Sequence, residues 1–194
     1  MVSSDSAISD GGEVVTPAEF RAAMADFASG VTVVTGLDAG DPVGFACQAF
    51  ASVSLEPPLV VFCADHRSRS WPRIRRSGRF CVNVLGEHQT SLCERFGSSQ
   101  GRKFDGAEWS LTRWGTPALP DVLMRVHADV NQVHPAGDHD LVVGRVLAVE
   151  RIAEHRPMIF FRGGFGLGTA ATATRRSGPP RQGVLSTRPT TSEA

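Results

Sequence analysis

Met124-Arg125-Val126-His127-Ala128-Asp129-Val130-Asn131 alternates apolar and polar side chains, and a Pro135-Ala136-Gly137-Asp138 turn leads on to Leu141-Val142-Val143-Gly144-Arg145-Val146. A period of two belongs to a strand with one dry and one wet face, so Met124, Val126, Ala128 and Val130 oppose Arg125, His127, Asp129 and Asn131. Residues 141–152 supply the next strand and residues 158–162 a last one. Working back, residues 31–35 are β-branched throughout, residues 36–42 carry turn residues, and further strands are expected at 43–49, 59–63 and 80–85. In the last of these Cys81, Asn83 and Leu85 share one face, with Phe80, Val82 and Val84 on the other. Short helices are expected at 68–76, closed by Gly78, and at 90–96, closed by Gly97. Thr16-Pro17-Ala18-Glu19 reads as a capping box opening another helix, whose Phe20, Met24 and Phe27 recur at helical spacing and are expected to pack in the core. Six or seven strands with only short helices between them define an all-β class with short flanking helices, a closed or partly closed antiparallel barrel. No internal repeat interrupts it.

The chain has 194 residues, with twenty basic and twenty acidic side chains in balance. No sequence-wide positive field exists to hold it on nucleic acid or an anionic membrane, so neither partner is expected. No run approaches the roughly 18 apolar residues that span a bilayer, and the N-terminus lacks a signal pattern, which predicts a cytoplasmic protein. Residues 1–15 and 168–194 are rich in Ser, Gly, Thr, Pro and Arg and are expected to be disordered tails around a single domain at 16–167. Cys47, Cys63, Cys81 and Cys93 form no CxxC pair and read as reduced thiols. With no tyrosine, no phenol is available for catalysis.

Several catalytic classes lack their residues: there is no GxxxxGK[ST], HExxH or GxSxG. Gly163-Gly164-Phe165-Gly166-Leu167-Gly168 fails the GxGxxG spacing at Thr169 and reads as a terminal turn. More informative is Gly44-Phe45-Ala46-Cys47-Gln48-Ala49-Phe50-Ala51-Ser52-Val53-Ser54-Leu55-Glu56-Pro57-Pro58, small and polar where a strand is expected to give way to a loop. Such a stretch lets a flat ligand reach backbone N–H and C=O groups, with Ser52 and Ser54 adding hydroxyls; a plain Ser-rich connection explains it equally. Ser68-Arg69-Ser70 at a helix start fits a phosphate, or ordinary capping. Arg73, Arg75, Arg76 and Arg79 follow as a locally basic helix, by default a solvated face. His134 to Asp140 holds two histidines and two aspartates in a turn, with no complementary ligands at metal-site spacing elsewhere, so no metal is expected. His139, beside Asp138, could donate to a bound carbonyl.

In this order and at these distances the pieces resemble the flavin reductase-like family of FMN-binding split barrels, over roughly residues 17–167. The likeness rests on FRAAMADFASGVTVVT, GFACQAFASVSLEPPLVVFC, Ser68-Arg69-Ser70, residues 80–85 with Asn83, Arg95-Phe96, Lys103-Phe104, GDHDLVVGRV and MIFFRGGF. GFACQAFASVSLEPPL is particularly similar to the small reductase components of two-component hydroxylases. The resemblance implies a homodimeric Greek-key split barrel that uses NADH or NADPH to reduce FMN or FAD and hands the product to a separate flavin-dependent monooxygenase. Carried across, Ala46, Cys47, Gln48 and Ala49 line the isoalloxazine edge. Ser52, Val53 and Ser54 lie on the ribityl and phosphate side, and Ser68, Arg69 and Ser70 hold the phosphate. His139 with Asp138 sits by the nicotinamide, and Lys103, Phe104 and Arg162 flank the pocket. Many relatives carry a hydroxyl residue where Ala46 stands, and Ser, Thr or Asn where Gln48 stands, which shifts the expected flavin contacts here toward backbone. Hydride passes from nicotinamide C4 to flavin N5 once the rings stack at about 3–3.5 Å, so positioning is the catalysis and no nucleophile is required. A flavin-binding barrel without turnover and a pyridoxamine-phosphate-type oxidase are the alternatives.

Overall fold

Thr16 opens the first helix as its sequence dictates: its hydroxyl accepts from the Glu19 N–H at 3.3 Å, while the Glu19 carboxylate accepts from the Thr16 N–H at 2.9 Å. The computed structural model describes residues 15–99 and 102–166, so the tails expected at 1–15 and 168–194 fall outside it, apart from Val15. Along the chain lie α1 (Pro17–Met24), β1 (Ser29–Gly30), β2 (Thr32–Asp38), β3 (Asp41–Cys47), β4 (Phe50–Leu55) and β5 (Pro58–Asp65). Then come α2 (Trp71–Ser77), β6 (Arg79–Val84), α3 (Thr90–Gly97), β7 (Ser110–Leu111) and β8 (Pro117–Ala118). The last are β9 (Met124–Ala136), β10 (His139–Arg151), β11 (Ile159–Phe161) and β12 (Gly164–Phe165).

Seven strands form one antiparallel sheet in the order β3-β2-β6-β9-β10-β5-β4, and β1, β11 and β12 form a small second sheet. The alternating segment that decides the fold becomes β9, paired with β10 from Met124↔Arg151 to Ala136↔His139 across a two-residue turn. The sheet curls until β3 meets β5, where the Cys47 thiol lies 3.6 Å from the Cys63 carbonyl. The result is the expected partly closed barrel.

Its interior holds Phe62, Phe80 and Trp71, with Phe62 edge-on to Phe80 at 5.1 Å and to Trp71 at 5.6 Å. Burying each such ring contributes about 1.5–3 kcal/mol. A second apolar cluster lies outside the barrel, where Phe96 of α3 and Phe104 cover Val31, Val33 and Leu85. Asn83 joins the two regions: its amide donates to the Val33 carbonyl and the Thr35 hydroxyl, each at 3.1 Å, and its carbonyl accepts from the Leu119 N–H at 3.0 Å. Every polar atom of this buried side chain therefore has a partner.

Four expectations change. Residues 50–55 form edge strand β4 rather than a loop, because pairing with β5 satisfies their backbone even though Ala51, Ser52 and Val53 are exposed. No residue of α1 is buried: Phe20, Met24 and Phe27 are 61%, 48% and 70% exposed, so that helical face does not join this chain's core. The helix expected from residue 68 begins at Trp71, with 68–70 as its leading turn, and Gly97 lies inside α3, whose cap is Ser98. Arg79 belongs to β6 rather than to the basic helix and reaches Asp129 at 2.6 Å, while Arg73 and Arg76 stay on the solvated face of α2 and both reach Asp38, at 2.7 and 2.9 Å.

Candidate active site

A cleft of about 1680 Å³ runs between α3 with its following loop on one side and β3, the end of β5, the turn before α2 and the start of β10 on the other. Small residues set its width. A side chain at Gly44 would place a Cβ 2.9 Å from the Val34 carbonyl and 3.0 Å from the Phe96 ring, so only glycine lets α3 pack this close. Ala46, Cys47, Gln48 and Ala49 continue that wall. Burial pushes the Cys47 thiol up to about 12, so it remains protonated and non-nucleophilic at neutral pH.

Ser68, Arg69 and Ser70 line the cleft end beside α2. The Ser68 hydroxyl accepts from the Trp71 N–H at 3.2 Å and keeps its own proton to donate, while Ser70 donates to the Gly44 carbonyl at 2.8 Å and keeps its lone pairs. Arg69 donates to the Ser99 carbonyl and Lys103 to the Phe96 carbonyl at 2.7 Å. Among the described residues both cations therefore bond main-chain carbonyls rather than carboxylates. Burial, with the Arg69 charge nearby, lowers the pKa of the Lys103 ammonium. Arg67 differs, being held by Asp65 at 2.6 Å, which keeps the Asp65 carboxyl well below the usual carboxylate range.

His139 opens β10 at the same cleft, in register with Asp65 of β5. The Asp138 carboxylate takes a 2.7 Å bond from its Nδ1, which orients the ring and lowers the Asp138 pKa. The next residue, Asp140, turns inward and accepts from the Trp71 indole at 2.8 Å and the His66 imidazole at 3.1 Å. The hairpin tip that carries His139 is thus fixed to α2.

Of the residues expected at the site, Ala46, Cys47, Gln48, Ala49, Ser68, Arg69, Ser70, Lys103, Phe104 and His139 share this cleft. Asp138 touches it through His139. Ser52, Val53 and Ser54 do not line it; they lie along β4 at the sheet edge. Arg162 also stands apart, its Nε 2.5 Å from Asp26 and its guanidinium over the Phe161 ring at 5.1 Å. Sequence reasoning missed Gly44, Arg67 and Phe165, all on the cleft. Gly44 sat in the quoted small-residue stretch and Phe165 closed the quoted MIFFRGGF segment, but neither was singled out as a site residue.

A long slot with a small-residue wall, serine hydroxyls and two carbonyl-bound cations at one end, and an oriented histidine at its rim suits a planar heterocycle bearing a phosphate tail. The barrel and this cleft together define a split-barrel protein with a site for a flat, anionic ligand. The chain belongs to the flavin reductase-like domain family, whose sequence model matches residues 24–168. It is 49% identical over 151 residues, 78% of this chain and 77% of the relative, to the reductase subunit HsaB of a flavin-dependent monooxygenase from Rhodococcus jostii. Among solved structures it is similar to a nitrilotriacetate monooxygenase component B homologue from Mycobacterium thermoresistibile, at 44% identity and a TM-score of 0.73, covering 76% of this chain and 83% of that one. It is also similar to the NADH:FAD oxidoreductase SgcE6 of Streptomyces globisporus solved with NAD and FAD fragments, at 30% identity and a TM-score of 0.74, covering 84% and 99%.

Proposed function

We propose that this chain is an NAD(P)H-dependent flavin reductase that takes electrons from NADH or NADPH, reduces FMN or FAD in the cleft, and supplies the reduced flavin to a separate flavin-dependent monooxygenase. The observation that carries the reading is the convergence of the Gly44-to-Ala49 wall, the Ser68-to-Ser70 turn, Lys103 and His139 on one cleft. When bound, flavin and nicotinamide supply the hydride acceptor and donor. The chain's own contribution is placement. The Ala46 to Ala49 wall admits a flat ring; Ser68, Ser70, Arg69 and Lys103 hold an anionic tail; and His139, steadied by Asp138, orients the nicotinamide carboxamide.

The working form in this reading is a homodimer. Phe20, Met24 and Phe27 form an exposed apolar face along and just beyond α1, and Val53 and Leu55 on edge strand β4 are 56% and 92% exposed. Exposed apolar side chains of this size are what a second copy buries. Sedimentation tests that part: a dimer in wild type and a monomer in Phe20→Ser/Phe27→Ser support it, whereas a wild-type monomer at micromolar concentration removes it.

The activity itself is tested by mixing purified protein with NADH or NADPH and FMN or FAD, and following the nicotinamide absorbance. Oxidation above the protein-free background, proportional to enzyme, is expected with at least one pairing. No oxidation with any pairing rejects the reading.

A further inference from the structure

At the end of the barrel far from the His139 turn, roughly 40 Å along β10 at about 3.3 Å per residue, three loops meet. They follow β6, precede β9 and follow β10, and contribute His88, Asp121 and His155. His88 Nε2 lies 2.8 Å from Asp121 Oδ2 and His155 Nε2 lies 2.9 Å from Asp121 Oδ1. The two imidazoles meet edge to face at 4.7 Å, and one ligating atom from each of the three residues lies within 4.8 Å of the others. A carboxylate only accepts, so both rings donate to it here.

The arrangement is built rather than incidental. The His88 ring lies so close over Gly86 that a Cβ there would be 2.7 Å from the ring Cε1. Asp121 takes a left-handed backbone conformation, with φ at 53°. Gln89, 8% exposed, accepts from the Gly86 N–H and donates to the Pro120 carbonyl, both at 3.0 Å, while the Glu87 N–H donates to the Arg156 carbonyl at 2.9 Å. Each ligand-bearing loop is therefore tied to another by a bond that the ligands themselves do not make.

We propose that His88, Asp121 and His155 form a Zn²⁺ site, with both imidazoles ligating through Nε2, Asp121 through a carboxylate oxygen, and the remaining position left to water. Two imidazoles and a carboxylate are a zinc donor set, at metal–ligand distances of about 2.0–2.2 Å, which set tetrahedral neighbours about 3.3 Å apart. The N–O contact to the ligating oxygen opens by a few tenths of an ångström and the other separations, all within 4.8 Å, close toward that value, adjustments within reach of side chains this exposed. Each imidazole ligates as the neutral Nδ1–H tautomer, its Nε2 proton passing to solvent as the metal takes that position. An ion there cross-links three loops of distant sequence, so its effect falls on stability. The flavin cleft does not include these residues.

The test is titration of tag-free, chelator-stripped protein with Zn²⁺ and separately with Co²⁺, beside a His88→Gln/His155→Gln variant shown folded by circular dichroism. One zinc per wild-type chain is expected, with tetrahedral Co²⁺ bands. The unfolding midpoint is expected to rise by about 5–10 °C when zinc is 100-fold above its Kd. The variant should bind more than roughly 100-fold more weakly, beyond what loss of an outer partner causes, with a midpoint that zinc does not move. Asp121→Asn should also lose the cobalt bands. Equal affinity in wild type and variant, or no wild-type binding at micromolar zinc, overturns the proposal, and neither result bears on flavin reduction.

Discussion

The indole Nε1 of Trp71 donates a 2.8 Å hydrogen bond to Asp140 Oδ2, joining α2 to the start of β10 inside the barrel. Successive strand residues face opposite sides, so anchoring Asp140 inward, at 7% exposure, leaves His139 on the cleft. Asp140→Ala leaves a buried indole N–H without its acceptor, a loss of about 1–3 kcal/mol, to be read as a lower denaturant midpoint. Asp140→Asn restores an acceptor and should recover most of the loss. A midpoint unchanged in the alanine variant would contradict the anchoring role.

His139→Ala should lower kcat/KM for the nicotinamide by about tenfold, the scale expected when a positioned contact is lost without removal of the reacting groups. The KM for flavin should move little. Steady-state kinetics with each substrate varied in turn separates the two effects, and unchanged nicotinamide parameters would remove His139 from the site.

Arg69→Ala and Lys103→Met should each raise the KM for FMN by about tenfold, because a charge-assisted contact to a phosphate contributes roughly 1.5–3 kcal/mol when intact. Riboflavin, which lacks the phosphate, provides the control. If the two substitutions weaken riboflavin as much as FMN, these cations serve the cleft's shape and not the anionic tail.

His127 is fully buried, with Nδ1 2.9 Å from the Thr116 hydroxyl and Nε2 3.0 Å from the Glu150 carboxylate. Burial lowers its pKa below the ordinary 6.5, outweighing the pull of Glu150. The unfolded chain then binds this proton more readily than the folded one, so stability is full above about pH 6.5 and declines as pH falls through it toward the folded value. The unfolding midpoint should therefore drop between about pH 7.5 and pH 5.5, and His127→Gln, whatever its own stability, should flatten that slope. Parallel slopes in the two proteins would assign the pH dependence to other groups.

How much of this was legible beforehand depended on whether the signal was local. The period of two over residues 124–131 and the Pro135-to-Asp138 turn predicted β9, the turn and β10, because strand alternation is written into neighbouring residues. The Thr16–Glu19 capping box was equally local. β4 was not, since nothing in Ala51-Ser52-Val53-Ser54 reveals that β5 lies alongside to satisfy its backbone. Periodicity reported an apolar face on Phe20, Met24 and Phe27 but not which chain covers it. Asp140 looked like one more polar turn residue until Trp71, distant in sequence, arrived at its carboxylate. His88, Asp121 and His155 come from three separate loops, and only the side-by-side pairing of β6, β9 and β10 brings them together.

The claim that the cleft itself is where flavin is reduced is tested most directly by anaerobic single turnover. Wild-type protein in excess over FMN or FAD is mixed with one equivalent of whichever of NADH and NADPH supports turnover, or of each in turn, beside Ala46→Phe, which fills the wall and is shown folded by circular dichroism. Stoichiometric bleaching of the flavin's visible absorbance is predicted for wild type, with a rate at least about tenfold slower in the blocked variant. Bleaching no faster than without protein, or equally fast in both proteins, would contradict the account.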